Sequence, residues 1–163
     1  ECANTKELKR FYDLYVKTAK RHKSIPLTFR AIEFLTGHAR LFIAKRHGRV
    51  IGGSIFLFYK PFIHYFINAS DYRLRSLNIG HAILWHAMQK YSGGEYDYFD
   101  LGGTRKGSAL EIFKRGWGTV EWPIYEIGGS SQREIGGWKR YIWGALPAPV
   151  MKTFASYALF FKV

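Results

Sequence analysis

The chain has 163 residues, enough for one ordinary domain with a single core, and 47 % of them are apolar, which excludes a disordered protein. A net charge of +13, with a pI near 9.9, points to polyanionic partners (nucleic acid, anionic headgroups, phosphorylated substrates) or to a solvated basic face. The single cysteine, Cys2, excludes an internal disulfide framework and points to a reducing compartment.

From the N-terminus, Leu8, Phe11, Tyr12, Tyr15 and Ala19 recur at three- and four-residue spacing among lysines and arginines, which predicts an amphipathic helix. Pro26 interrupts it, and Phe29, Ile32 and Leu35 predict a shorter helix ending at Gly37. The period then changes. "ARLFIAKRHGRVIGGSIFLFYK" reads as two strands joined at Arg46-His47-Gly48-Arg49, and "FIHYFINAS" follows Lys60-Pro61 as a third, giving an antiparallel meander. Gly52-Gly53 inside the second strand predicts a bulge or a close backbone approach.

Helical spacing returns from Arg75 through Ile79, Ile83, Trp85 and Met88, and stops at Ser92-Gly93-Gly94. "YDYFDL" predicts a fourth strand and "TVEWPIYEI" a fifth, with a short helix between them. Residues 130–163 form a basic and aromatic extension, with two helices divided by Pro147 and Pro149, so the expected division is 1–129 for the domain and 130–163 for the extension. The fold class is α/β (α+β), a mixed sheet covered by helices. With no signal peptide and no apolar run of about 20 residues, a cytoplasmic location is expected. The apolar, lysine-dotted end "LPAPVMKTFASYALFFKV" leaves open a contact with the inner membrane surface.

The stretch "YFDLGGTRKGSALEIFKRGWG" holds most of the candidate chemistry. Gly102 and Gly103 end a buried strand, either as a turn needing positive φ or as backbone that must come close to a substrate. Asp100, an acid in an apolar strand, needs a partner; Arg105 or a nearby lysine is the expected one, with a general-base role as the alternative. Lys114 and Arg115 close the short helix, where they either answer its dipole or, between Phe113 and Trp117, supply shielded positive charge to an oxyanion or phosphate. Gly116 is the expected left-handed residue after that helix. Tyr72 and Arg73, after the third strand, are expected to face the cleft. The six histidines show no metal-ligand spacing with carboxylates, so no metal is expected.

The element order resembles the GNAT acyltransferase fold. Within it, "SDYRLRSLNIGHAILWHAMQKYSGGEYDYFDLGGTRKGSALEIFKRGWG" resembles the second GNAT domain of the Fem family, the peptidoglycan interpeptide-bridge aminoacyltransferases. The shared marks are Tyr72-Arg73, Asn78 before an apolar helix with Leu84-Trp85, the Asp100-to-Gly103 strand end and the Phe113-Lys114-x-Gly-x-Gly segment. The resemblance covers roughly residues 6–150. It implies Phe113 and Lys114 as catalytic, acting at the acyl-donor end, and backbone at Asn68–Ser70 as an oxyanion donor. It also implies aminoacyl-tRNA as donor, a peptide amine of a lipid-linked cell-wall precursor as acceptor, and no tightly bound cofactor.

Fem proteins are tandem GNAT pairs of about twice this length. The chain, which begins at Glu1, is therefore expected to be one half lacking a second GNAT domain, or a single-domain relative. Ordinary GNAT enzymes hold the coenzyme A pyrophosphate on an Arg/Gln-x-x-Gly-x-Gly/Ala loop at a helix N-terminus. Leu77-Asn78-Ile79-Gly80-His81-Ala82 matches it at Gly80 and Ala82 but not at Leu77. Asn78 and Gly80 are thus the candidates for binding an acyl-CoA donor, with helix capping the other reading of Asn78. A non-catalytic half that binds tRNA or a partner domain is the remaining alternative.

Overall fold

The computed structural model describes residues 4–125 and 145–158. Helix α1, Thr5–Arg21, starts where the Asn4 side chain accepts a hydrogen bond from the Glu7 amide, and it buries Leu8, Phe11, Tyr12, Val16 and Ala19 along one stripe. Two of its tyrosines fasten the following link: Tyr12 Oη donates to the Leu27 carbonyl (3.2 Å) and Tyr15 Oη accepts from the Leu27 amide (3.0 Å). Burial raises both phenol pKa values. Helix α2, Phe29–His38, is capped by Thr28 and buries Ile32; it passes through Gly37 and ends one residue later than expected.

Strands β1 (Arg40–Arg46) and β2 (Arg49–Tyr59) meet at His47 and Gly48, both with positive φ (48° and 72°), the combination a two-residue hairpin of matching twist requires. β3 (Phe62–Ser70) pairs antiparallel with β2, completing the meander. The Gly52-Gly53 pair answers to both of its expected causes. The β1–β2 register shifts just before it. A Cβ at Gly52 would lie 2.6 Å from Ile79 Cγ2, and one at Gly53 would lie 2.6 Å from Phe11 Cδ2.

After β3 the chain makes a 3-10 segment, Tyr72–Leu77, then helix α3, Ile79–Tyr91, and returns as β4, Tyr98–Asp100, parallel to β3. That crossover gives the sheet order β1-β2-β3-β4. Helix α4 (Ala109–Arg115) follows, and helix α5 (Ala148–Ala158) ends the described chain.

Two apolar clusters lie against the sheet. On one face α1 packs with Ile32, Leu41, Ile55, Ile67 and Met151. On the other, α3 packs with Phe42, Phe56, Ile63 and Leu101, and Phe113 and Trp117 join from the α4 side. Met151 of α5 is completely buried against α1, and Lys152 pairs with Asp13, so this part of the 130–163 extension belongs to the core of the domain.

Three local expectations change. No strand forms over Thr119–Tyr125; the rest of the expected fifth strand lies outside the described residues. Gly116 is right-handed (φ −58°), because the Trp117 and Gly118 amides bond back to the carbonyls of Lys114 and Arg115 and extend the turn; the left-handed residue is Gly118 (φ 68°). Asn78 opens α3 through its left-handed backbone (φ 48°), and its side chain makes no capping bond.

Candidate active site

β3 and β4 share only three paired positions: Phe62 with Tyr98, Ile63 with Phe99 and His64 with Asp100. β3 continues to Ser70 while β4 ends, so among the described residues the edge from Tyr65 to Ser70 has no neighbouring strand on that side. An open strand edge presents unpaired amides and carbonyls to whatever occupies the gap.

At the vertex of this gap stands a polar cluster. Asp100 Oδ2 lies 2.7 Å from His64 Nδ1, and Asp100 Oδ1 accepts from the Gly102 amide at 2.7 Å. The partner of Asp100 is therefore His64, and not Arg105, whose side chain is exposed and whose carbonyl accepts from the Ser108 amide. Gly102 has φ 73°, and a Cβ there would lie 3.2 Å from His64 Cε1. The first glycine thus serves both the turn and a close approach, the approach being to the imidazole.

Lys114 reaches this loop from α4. Its ammonium donates to the carbonyls of Gly102 (2.6 Å) and Gly103 (2.9 Å), and the residue is only 8 % exposed. Burial lowers its pKa, and the nearby Asp100 charge opposes that shift. The helix that aims it is fixed at its start: Ser108 Oγ accepts from the Glu111 amide, and the buried Glu111 carboxylate accepts from the Gly107 amide. "SALE" is a capping-box signature for that start.

The lysine's shielding comes from the loop and not from the flanking aromatics. Phe113 lies edge-on to His81 (4.7 Å between centroids), Trp117 stacks near His81 and Trp85, and together these rings dock α4 on α3. Arg115 is exposed and spends its charge on Glu111 and Glu121.

The remaining expected residues lie outside this cluster. Tyr72 sits on the 3-10 segment with the guanidinium groups of Arg21 and Arg75 at 4.6 and 4.8 Å from its ring centroid. Arg73 forks onto Asp71 (2.7 and 3.0 Å) and holds that carboxyl below the usual range. Neither residue touches the Asp100–Lys114 cluster.

Asn78 and Gly80 begin α3, whose first intrahelical bond runs from the Ala82 amide to the Asn78 carbonyl; the amides before it point out of the helix start. Gly80 lies against Asn68 of β3, with 3.2 Å from its Cβ position to Asn68 Nδ2, and Ser54 donates to Asn68 Oδ1 (3.1 Å). The helix start and the open edge of β3 are thereby joined.

Among the described residues no group of three His, Cys, Asp or Glu side chains could hold a metal ion, and no helix is long and apolar enough to cross a membrane.

A family model described as an acetyltransferase (GNAT) domain matches residues 1–115. No curated protein matches the sequence. Among solved structures, a possible acetyltransferase from Clostridium difficile 630 aligns with a TM-score of 0.66 at 10 % identity, covering 77 % of this chain and 93 % of that one. A ribosomal-protein-alanine N-acetyltransferase from Brucella melitensis biovar Abortus 2308 aligns at 0.60 with 16 % identity, covering 77 % and 94 %. An aminoglycoside acetyltransferase from an uncultured soil metagenomic sample, in complex with sisomicin, aligns at 0.60 with 16 % identity, covering 78 % and 91 %. At these identities the likeness is one of fold.

Proposed function

Since the chain belongs to the acetyltransferase (GNAT) domain family, and so is an acyltransferase, we propose that it moves an acyl group directly from a phosphate-bearing thioester or ester to a primary amine. The observation that carries this reading is the gap itself. β3 and β4 part after His64 and Asp100, and the exposed edge of β3 runs to the start of α3. A donor lying there would set its phosphates at the helix start, where outward amides and the helix dipole favour negative charge. Its acyl carbonyl would face the β3 edge, whose amides would stabilise the oxyanion of the tetrahedral intermediate. No covalent enzyme intermediate is required, since positioning a free amine against an activated carbonyl supplies much of the acceleration. Lys114 adds positive charge beneath the Gly102–Gly103 loop and keeps that loop in register with the vertex.

Acyl-CoA is the first donor in this reading, on the strength of the family and of the acetyltransferase names among the fold neighbours. Aminoacyl-tRNA is the second, with a cell-wall peptide amine as acceptor. Leu77 at the place of the phosphate-loop arginine and the net charge of +13 favour it, as does the Phe113-Lys114 segment. Calorimetric titration with acetyl-CoA, and with an aminoacylated acceptor-stem RNA at two salt concentrations, separates the two. Saturable acetyl-CoA binding in the micromolar range selects the first donor, and salt-sensitive RNA binding without it selects the second. Silence with both would remove the proposal for this chain acting alone.

A further inference from the structure

The last paired position between β3 and β4 is also the one that joins an imidazole to a carboxylate. A carboxylate can only accept, so the 2.7 Å contact places the proton of His64 on Nδ1 and leaves the lone pair on Nε2. Among the described residues no hydrogen bond reaches Nε2, and the side chain is 22 % exposed, at the point where the strands separate. The groups around it are few. Asp100 comes from β4. Lys114 comes from α4, held on the Gly102 and Gly103 carbonyls. Leu57 stands opposite on β2, and the Phe66 ring lies 5.9 Å away. No other ionisable side chain among the described residues pairs with His64 or Asp100.

We propose that His64 is the general base of the reaction, with Asp100 as the residue that positions it; the assignment rests on the amine-acylation reading above. Nε2 takes one proton from the acceptor ammonium. The freed nitrogen lone pair forms the C–N bond to the acyl carbon, and the tetrahedral intermediate collapses with cleavage of the donor's C–S or C–O bond. The second proton on that nitrogen passes to the departing thiolate or alkoxide. His64 returns its own proton to solvent, so each turnover releases one proton.

The test compares the unaltered chain with His64→Asn and Asp100→Asn. The donors are acetyl-CoA and, in parallel, an alanyl ester of an acceptor-stem RNA; a lysine-containing peptide is the acceptor. Asparagine at 64 can keep the hydrogen bond to Asp100 while removing the base. His64→Asn is expected to lower turnover at neutral pH about 100-fold or more, with KM for the donor little changed. The deficit should narrow as pH rises and the amine loses its proton unaided. Turnover equal to the unaltered chain, or a deficit of the same factor at every pH, would overturn the assignment, the latter marking a structural role. Nitrogen NMR of the imidazole gives a readout free of turnover: a proton on Nδ1 is expected, and one on Nε2 overturns it. If the unaltered chain transfers nothing from either donor, the acyl-transfer reading falls first and takes this one with it.

Discussion

β3 makes two very different partnerships. Toward β2 it is paired along nearly its whole length, with α1 and α3 pressed on the two faces; toward β4 it is paired at three positions and then left open. The first side is held by apolar contact, with Phe11, Ile55 and Phe56 fully buried. The second is held by a few polar bonds that converge on Asp100, Gly102 and Lys114. A continuous ladder gives rigidity and no room; an interrupted one gives room, and needs directed hydrogen bonds to keep its vertex in place.

Three substitutions probe that contrast, and the largest effect belongs to the apolar side. Phe11→Ala removes a ring packed under Gly53 and should cost about 3–5 kcal/mol of stability by denaturant titration. A loss below 1 kcal/mol would mean that the α1 face does not anchor the sheet. Lys114→Met should cost less, about 2 kcal/mol, because two loop carbonyls lose their donor while a buried charge is relieved. Its amide-exchange signature should be local, with the protection of the Gly102 amide falling and that of the β2–β3 ladder unchanged. Uniform loss across the sheet would break the distinction between the two sides.

The smallest effect is expected at Tyr65, whose buried hydroxyl lies beside that of Ser54 but outside good hydrogen-bond geometry. Burial raises its pKa to about 12 from an ordinary 10.0. The folded chain then holds a proton that the unfolded chain releases, so the contribution to stability is complete below pH 10 and is lost as pH rises from 10 to about 12. Tyr65→Phe should abolish that pH dependence and alter neutral-pH stability by under about 1 kcal/mol. Phenolate absorbance from Tyr65 appearing near pH 10 would show that the open side admits water to the ring.

The local patterns of the fold were legible because their causes are local. Leu8, Phe11 and Ala19 carry a helical period, and His47-Gly48 can supply two positive φ angles in a row. Spacing does not tell Gly116 from Gly118, since both are glycines within one turn, and only the backbone bonds of Trp117 and Gly118 decide which is left-handed. The site was half legible. Asp100, Gly102, Gly103 and Lys114 lie close in sequence and do converge, while Tyr72, Arg73 and Arg115 engage other partners. No spacing marks His64, because its partner is 36 residues away across a parallel crossover. The available signal was the pair of unmatched polar residues, a histidine in "FIHYF" and an aspartate in "YFDL", each needing company in an apolar strand.

The Gly52-Gly53 dipeptide sets how closely the layers approach at the middle of β2. Its two missing side chains let Ile79 come down on one face and Phe11 on the other, so the three layers are pinched at a single point on β2. A methyl group at either position would act as a spacer. At Gly52 it would lift the start of α3 off the sheet, and with it the Gly80–Asn68 contact that seats this helix beside the open edge. The distance between the place proposed for the donor's phosphates and the carbonyl-facing edge of β3 is therefore gauged by a residue that pairs with Ser70 on one side and packs under Ile79 on the other.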